Sequence, residues 1–332
     1  MVRFQPTLKT CMLLAGLVLL IGLPPVASAL GETFYIGLFS RILIYALAAV
    51  SLDLILGFGG MVSFGHAAFF GAGAYVVGIL AFHGMEESAF ISWPFLMMGT
   101  NNALISWPLA ILTSAGLALL IGAISLRTSG VYFIMITLAF AQMIYFFFTS
   151  LEKYGGDDGL SLFARSRIGV LDLNNDATFY YLCLGLLIGF ILLSYRLVNS
   201  RFGMVIRGSR ENETRMGSLG FPTYRYKLVC FVIAGAGAGL SGALIANQTE
   251  FVSPSLMHWT VSGEILVMVV LGGVGTLLGP VFGAAALLLL EEFLSLYTEH
   301  WMLVLGPILI FVILFARRGL YGSIVERKSQ NG

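Results

Sequence analysis

The sequence predicts an all-α polytopic membrane protein with about eight full spans and a glycine-broken pair of short segments, roughly eight to ten crossings in all. Three observations carry this. Hydrophobic residues make up 58% of the 332 positions and charged residues only 11%, against about 25% charged in a soluble domain. Mean hydropathy is +0.93. The apolar residues fall in runs of about 20, the length a helix needs to cross a bilayer. A soluble fold of this size could not hide so much apolar surface in one core. The whole chain, 1–332, reads as one transmembrane domain with a long polar loop at 198–227 inside it.

The runs lie near 11–30, 38–57, 66–82, 104–126, 131–150, 178–197, 228–247 and 301–316. Arg3 and Lys9 before the first run, and Ala27-Ser28-Ala29 after it, also fit a signal peptide; a retained span is the favoured reading. A further stretch, 262–290, is too long for one span and is cut by Gly272, Gly273, Gly275, Gly279 and Pro280. It reads as two short segments meeting at a glycine break. Cys11, Cys183 and Cys230 lie in or beside apolar runs without metal-ligand spacing and read as small packed hydrophobes. No metal or other cofactor is expected.

Lys and Arg set the orientation. Loop 198–227 holds Arg201, Arg207, Arg210, Arg215, Arg225 and Lys227, and the tail holds Arg317, Arg318, Arg327 and Lys328. The loops of the opposite side are expected to be acidic, with Glu86, Glu87, Glu152, Asp157, Asp158, Asp172, Asp176, Glu250, Glu291, Glu292 and Glu299; Arg41, Lys153, Arg165 and Arg167 are the basic residues counted there. Both termini and loop 198–227 are therefore expected in the cytoplasm of a bacterial inner-membrane protein. The stretch 262–290 must then enter and leave from the periplasmic side. Trp93, Trp107, Trp259 and Trp301 are expected as a periplasmic aromatic belt.

Gly59 and Gly65 interrupt the chain after the second run, and Gly273 and Gly279 repeat their spacing. Paired glycine-interrupted segments point to a transport site, because broken backbone inside a membrane needs protein or water to satisfy it. The expected path runs between the two breaks near mid-membrane, with Gly59, Ser63, His66, Gln142, Glu264, Gly273 and Gly275 as tentative lining. Thr137, Asn247 and Gln248 are further lining candidates. Each residue also has a bland reading: His66 as a hydrogen-bonded packing residue, Glu264 as a cap on freed backbone, Gln142 as an interhelical bond, and the glycines as close-packing points, as in Gly235 and Gly239.

Within the basic loop, Ser209 can cap a short helix with Glu211 and Glu213 in its first turn. Glu211 and Arg215 are spaced as an i,i+4 pair. Met216 and Leu219 share a face, and Gly220 before Pro222 ends the helix, with a positive φ expected at the glycine. Such a segment is either a docking element for a soluble partner or a loop made basic by the orientation rule alone.

Four stretches in order resemble one family. They are 52–75 (LDLILGFGGMVSFGHAAFFGAGAY), 207–221 (RGSRENETRMGSLGF), 262–280 (SGEILVMVVLGGVGTLLGP) and 317–322 (RRGLYG), with 155–160 (GGDDGL) as a further element. Together they resemble branched-chain amino acid ABC permeases of the LivM type. The resemblance implies an ABC importer permease fold and a passive pathway subunit for branched-chain or related amino acids. It implies a related second permease, two ATP-binding subunits and a periplasmic solute-binding protein as partners. It makes 207–220 the ATPase-coupling helix, carried by Arg207, Arg210, Glu211, Arg215, Met216, Leu219 and Gly220. The chain departs from the pattern at Asp53, where the family has Asn. A urea or short-amide ABC permease shares the architecture and stays open as an alternative.

Other classes fit less well. No G-x-x-x-x-G-K-[ST] occurs, so the chain does not itself hold ATP in that way. An intramembrane enzyme would need a nucleophile with a base or clustered ligands, but His66, His83, His258 and His300 are scattered and no HExxH or GxSxG appears. An ion-coupled secondary transporter could use Asp53 and Glu264 but leaves the basic loop unexplained. Nothing points to nucleic acid.

Overall fold

A computed structural model of the chain describes residues 8–91, 97–169, 172–298, 300, 303–307, 310 and 319. Most of the run predicted at 301–316, together with Trp93, Trp301, Glu299, Arg3 and the basic tail residues, lies outside them.

The helices follow the apolar runs. They are α1 (Leu8–Leu30), α2 (Thr33–Asp53), α3 (His66–Met85), α4 (Ala103–Ser125), α5 (Val131–Thr149), α6 (Asp176–Val198), α7 (Arg201–Glu211), α8 (Glu213–Ser218), α9 (Thr223–Thr249), α10 (Trp259–Gly272) and α11 (Gly279–Ser295). α2 continues through one wider helical turn, Leu54–Phe58, so it runs unbroken for 26 residues. Among the described residues six helices are long and apolar enough to cross a membrane: α2 with its extension, α3, α4, α5, α6 and α9. Shorter apolar helices lie at Gly16–Ala29 and at α10.

α2, α3 and α9 form the centre, and α4, α5 and α6 surround them with far more exposed apolar surface. Small residues set the central contacts. A Cβ on Gly73 of α3 would meet the backbone of Gly239 in α9, and one on Gly242 would meet the carbonyl of Phe70. Without side chains at these points the two backbones approach closely, which gains dispersion contact where lipid offers no hydrophobic drive. Gly235 and Gly239 sit against Ala118 and Ser114 of α4, the packing use expected for them.

α1 carries Pro24 and Pro25 inside its helix. Each proline lacks an N–H and frees the carbonyl four residues earlier. Two tyrosines of α6 take up those carbonyls: Tyr180 Oη donates to Leu20 at 2.8 Å and Tyr181 Oη to Ile21 at 2.9 Å.

The α6–α7, α4–α5 and α10–α11 connections share one face of the bundle with the end of α2. The other face carries two antiparallel pairs, β1 (Ala89–Ile91) with β2 (Met97–Met98) and β3 (Leu160–Ser161) with β4 (Phe251–Val252). There Arg165, only 8% exposed, pairs with Asp176 at 2.7 Å and lies 4.9 Å above the Phe179 ring. The α10–α11 hairpin turns at the α7 face, so its two outer ends lie toward the opposite face of the bundle. Two sequence expectations change. Trp107 is only 7% exposed and packs inside the bundle rather than in a belt. Arg41 and Glu291 are helical residues of α2 and α11 rather than loop charges.

Candidate functional site

The polar loop forms two helices where one was expected. Ser200 caps α7, its Oγ accepting from the Gly203 N–H. Ser209 is not a cap: it lies inside α7, buried, with its Oγ donating to the Val205 carbonyl at 2.8 Å. Asn212, extended at φ −156°, breaks the segment and caps α8 by accepting from the Arg215 N–H at 2.9 Å. A side-chain amide here competes with the backbone for the helical bond, which is why Asn favours caps over helix interiors. The break separates Glu211 from Arg215, and no ion pair joins them. Glu213 instead pairs with Lys227 of α9 at 2.7 Å and accepts from Thr223 Oγ1 at 3.2 Å.

α8 ends as the sequence predicts. Gly220 has φ +86°. The Phe221 N–H reaches the Met216 carbonyl at 3.2 Å and the Gly220 N–H reaches Gly217 at 2.9 Å, the paired bonds of a Schellman stop. Met216 and Leu219 do not share a free face. Met216 packs over Gly208 of α7, while Leu219 stays 64% exposed. Arg207 turns back to the Val198 carbonyl at 3.1 Å.

The two glycine breaks touch, but at the end of the spans rather than at mid-height. Gly57 is in the last turn of the α2 extension, and its backbone lies directly against that of Gly275. Asp53 Oδ1 accepts from the Gly275 N–H at 2.8 Å. Arg210 of α7 donates from Nη1 to the Gly57 carbonyl, and its stem rests on Gly60. Gly319 sits on Gly273. Residues from all four motif stretches therefore meet in one cluster. Beside it a cleft of about 310 Å³ is lined by Gly59, Gly60, Ser209, Arg210, Glu213 and Lys227 among others.

Chain from Gly59 to Gly65 turns back into the bundle, and α3 begins about seven residues inside the end of α2, roughly 10 Å deep at the usual helical rise. Its freed backbone is satisfied by side chains, as a break in hydrocarbon demands. Ser262 Oγ accepts from the Ala67 N–H and donates to the Phe64 carbonyl, both at 2.8 Å. Thr137 Oγ1 accepts from Phe64 N–H at 3.3 Å, and Ser63 Oγ from Gly65 N–H at 3.1 Å. His66 is fully buried with Nε2 2.8 Å from Ser51 Oγ. Asn247 is fully buried between Ser166 N–H and the Ala243 carbonyl, both at 2.7 Å. Gln248 donates to the Gly37 carbonyl at 3.2 Å. Gln142 is half-buried on α5, beside its inward positions Phe133, Thr137, Ala141 and Ile144.

Glu264 is not brought to the breaks. It is exposed on α10, near the Arg41–Glu291 ion pair. The backbone-capping role weighed for it belongs to Ser262, two positions earlier. Ser262 opens the third motif stretch, but only the fold shows that it faces the start of α3. Arg41 carried a signal in the sequence: it is a charge inside the apolar run 38–57.

A family profile described as the permease component of branched-chain amino acid transport systems matches residues 34–313. The chain belongs to this family. It is a multi-pass membrane protein and a transport permease. Its relatives include the high-affinity branched-chain amino acid permease protein LivM of Salmonella typhimurium, 29% identical over 84% of this chain and 68% of that protein. A probable LivM of Methanocaldococcus jannaschii is 25% identical over 79% of this chain and 82% of its own length. The Salmonella typhimurium LivH permease is 25% identical over 84% of this chain and 91% of that protein. No solved structure matches.

Proposed function

We propose that the chain is one of two related permease subunits of an ATP-driven importer for branched-chain or related amino acids. Its similarity to both LivM and LivH relatives supports a pair of permeases descended from one fold. The α7 face is cytoplasmic, by the excess of Arg and Lys in its loops. The loop 198–227 docks there on one of two ATP-binding subunits, and a periplasmic binding protein delivers solute to the other face. Docking uses the end of α8, where Leu219 and Phe221, just beyond the helix, are exposed on either side of Gly220. The permease itself hydrolyses nothing.

The observation that carries this reading is Arg210. It ties the docking loop to Gly57 of the first break, which rests on Gly275 of the second. A force applied to α7 and α8 by ATP binding acts on both breaks at once, and the two breaks form the inner gate of the path. Two packed arrangements of such a contact give a switch rather than a gradual deformation.

Proteoliposomes holding the assembled complex, ATP and the cognate binding protein should accumulate leucine. A cysteine at Leu219 should crosslink to an ATP-binding subunit. Leucine accumulation that proceeds without ATP, or a cysteine at 219 that a bulky thiol reagent labels freely in the intact complex, would overturn the importer reading or the docking assignment respectively. Reporter fusions within 155–160 and after Lys328 check the orientation.

A further inference from the structure

Three charges stand in apolar helices on one side of the chain. Arg41 lies within the α2 span, Glu291 on α11 and Glu264 on α10. Arg41 Nη2 donates to Glu291 Oε1 at 3.4 Å, and the guanidinium lies 5.8 Å from the centre of the Tyr45 ring. Glu264 is within electrostatic reach of both Arg41 and Glu291 and has no hydrogen bond or ion pair among the described residues. From Val261 to Gly272, α10 presents one exposed residue, and it is Glu264. A helix facing lipid would expose Leu or Val there. A carboxylate at the exposed position of an apolar membrane helix needs water, a partner charge or a ligand.

We infer that Arg41, Glu264 and Glu291 form a zwitterion-binding step on the wall of the solute path, taking the ammonium and carboxylate of an amino acid. The inference rests on the amino-acid importer reading and adds to it the residues that meet the solute. Two carboxylates against one guanidinium leave the cluster one negative charge in excess, which suits an ammonium at the unpaired Glu264. Arg41 donates to Glu291 and also contacts Tyr45, yet a guanidinium carries five N–H donors in a planar fork that matches a carboxylate. A long, half-exposed ion pair is easily exchanged, so the solute carboxylate can replace Glu291 on Arg41. A zwitterion brings both charges in balance, so no net charge enters the membrane with it.

The test uses the assembled complex. A cysteine at Glu264 should react with a small, membrane-impermeant cationic thiosulfonate, and leucine with the loaded binding protein should slow the labelling. Glu264→Gln should lower leucine uptake about tenfold or more, the loss of one charge-assisted hydrogen bond, while Glu264→Asp retains part of it. Co-purification of the partner subunits serves as the folding control. Position 264 unlabelled in the complex but labelled in the isolated chain would place the cluster against the second permease and overturn the inference. Glu264→Gln transport at the wild-type rate would also overturn it. If the Gln variant does not assemble, the labelling and its protection by leucine decide. A wild-type complex that carries no leucine would strike the amino-acid reading instead, and labelling would still show whether water reaches the cluster.

Discussion

Asp53 and Gly275 are joined by a hydrogen bond across 222 residues of sequence, the carboxylate accepting the glycine N–H at 2.8 Å. The bond holds the two glycine breaks together. Asp53 is 2% exposed, and its Oδ2 has no partner among the described residues. An amide keeps the acceptor and removes the charge from a low-dielectric site. Asp53→Asn is expected to assemble and transport like the wild type. Asp53→Leu strands the Gly275 N–H, at about 1–3 kcal/mol, and should lower the thermal midpoint of the purified complex. Transport lost in the Asn variant, with the midpoint unchanged, would show that the charge itself is needed.

Arg210 separates docking from transmission. Arg210→Met keeps a stem over Gly60 and removes the bond to the Gly57 carbonyl. The ATP-binding subunits should still co-purify, because Leu219 and the α8 stop are untouched. ATP turnover should no longer rise when loaded binding protein is added. A normal response would place the link elsewhere in the loop.

Gly220 tests the end of α8. A Cβ there meets nothing within 4 Å, so its φ of +86° is the whole obstacle to a side chain. Asn tolerates the left-handed region and β-branched residues do not. Gly220→Asn should retain most of the crosslinking from position 219, and Gly220→Val should lose most of it. Equal behaviour of the two would remove backbone conformation as the cause.

The spans were legible because length and apolarity suffice to mark a crossing. Gly220 was legible for a similar reason: a glycine two residues before a proline stops a helix whatever surrounds it. The start of the same segment was not. Ser200, Ser209 and Asn212 are all competent caps, and the choice depends on Val205, Ile206 and Ser209 turning inward, which draws α7 back to Arg201. The depth of the glycine breaks was also hidden. Spacing showed two interruptions, but Gly57 meets Gly275 at one end of the bundle because α2 runs on to Phe58 before it breaks. Arg41 looked like a loop charge because the counting of sides treats every Arg as one.

Ser262 closes the backbone gap at the start of α3. Ser262→Ala leaves both the Ala67 N–H and the Phe64 carbonyl unpaired, and water cannot readily replace the hydroxyl at a fully buried position. The loss is about 1–3 kcal/mol for each buried group left unsatisfied. Ser262→Thr keeps the hydroxyl and should be milder. The expected readout is a clear drop in midpoint for Ala and a small one for Thr. A midpoint unchanged in the Ala variant would mean that the hydroxyl satisfies nothing the chain needs.

The tyrosines of α6 and the prolines of α1 can be tested against each other. Tyr180 is buried and donates to the Leu20 carbonyl, which lacks a helical partner because Pro24 has no N–H. Tyr180→Phe should therefore destabilise the docking of α1 by about 1–3 kcal/mol, since the carbonyl is left unpaired in an apolar setting. Pro24→Ala supplies an N–H four residues on and closes the helical bond. In that background Tyr180→Phe should have a much smaller effect, because the carbonyl already has a partner. The two changes are thus expected to be non-additive, which a double-mutant cycle on the thermal midpoint measures directly. Tyr181 and Pro25 form the same relationship through Ile21, but Tyr181 is 40% exposed, so Tyr181→Phe should have the weaker effect of the two. Strict additivity of Pro24→Ala and Tyr180→Phe would show that the phenol holds α1 by packing, and that the freed carbonyl is not what it serves.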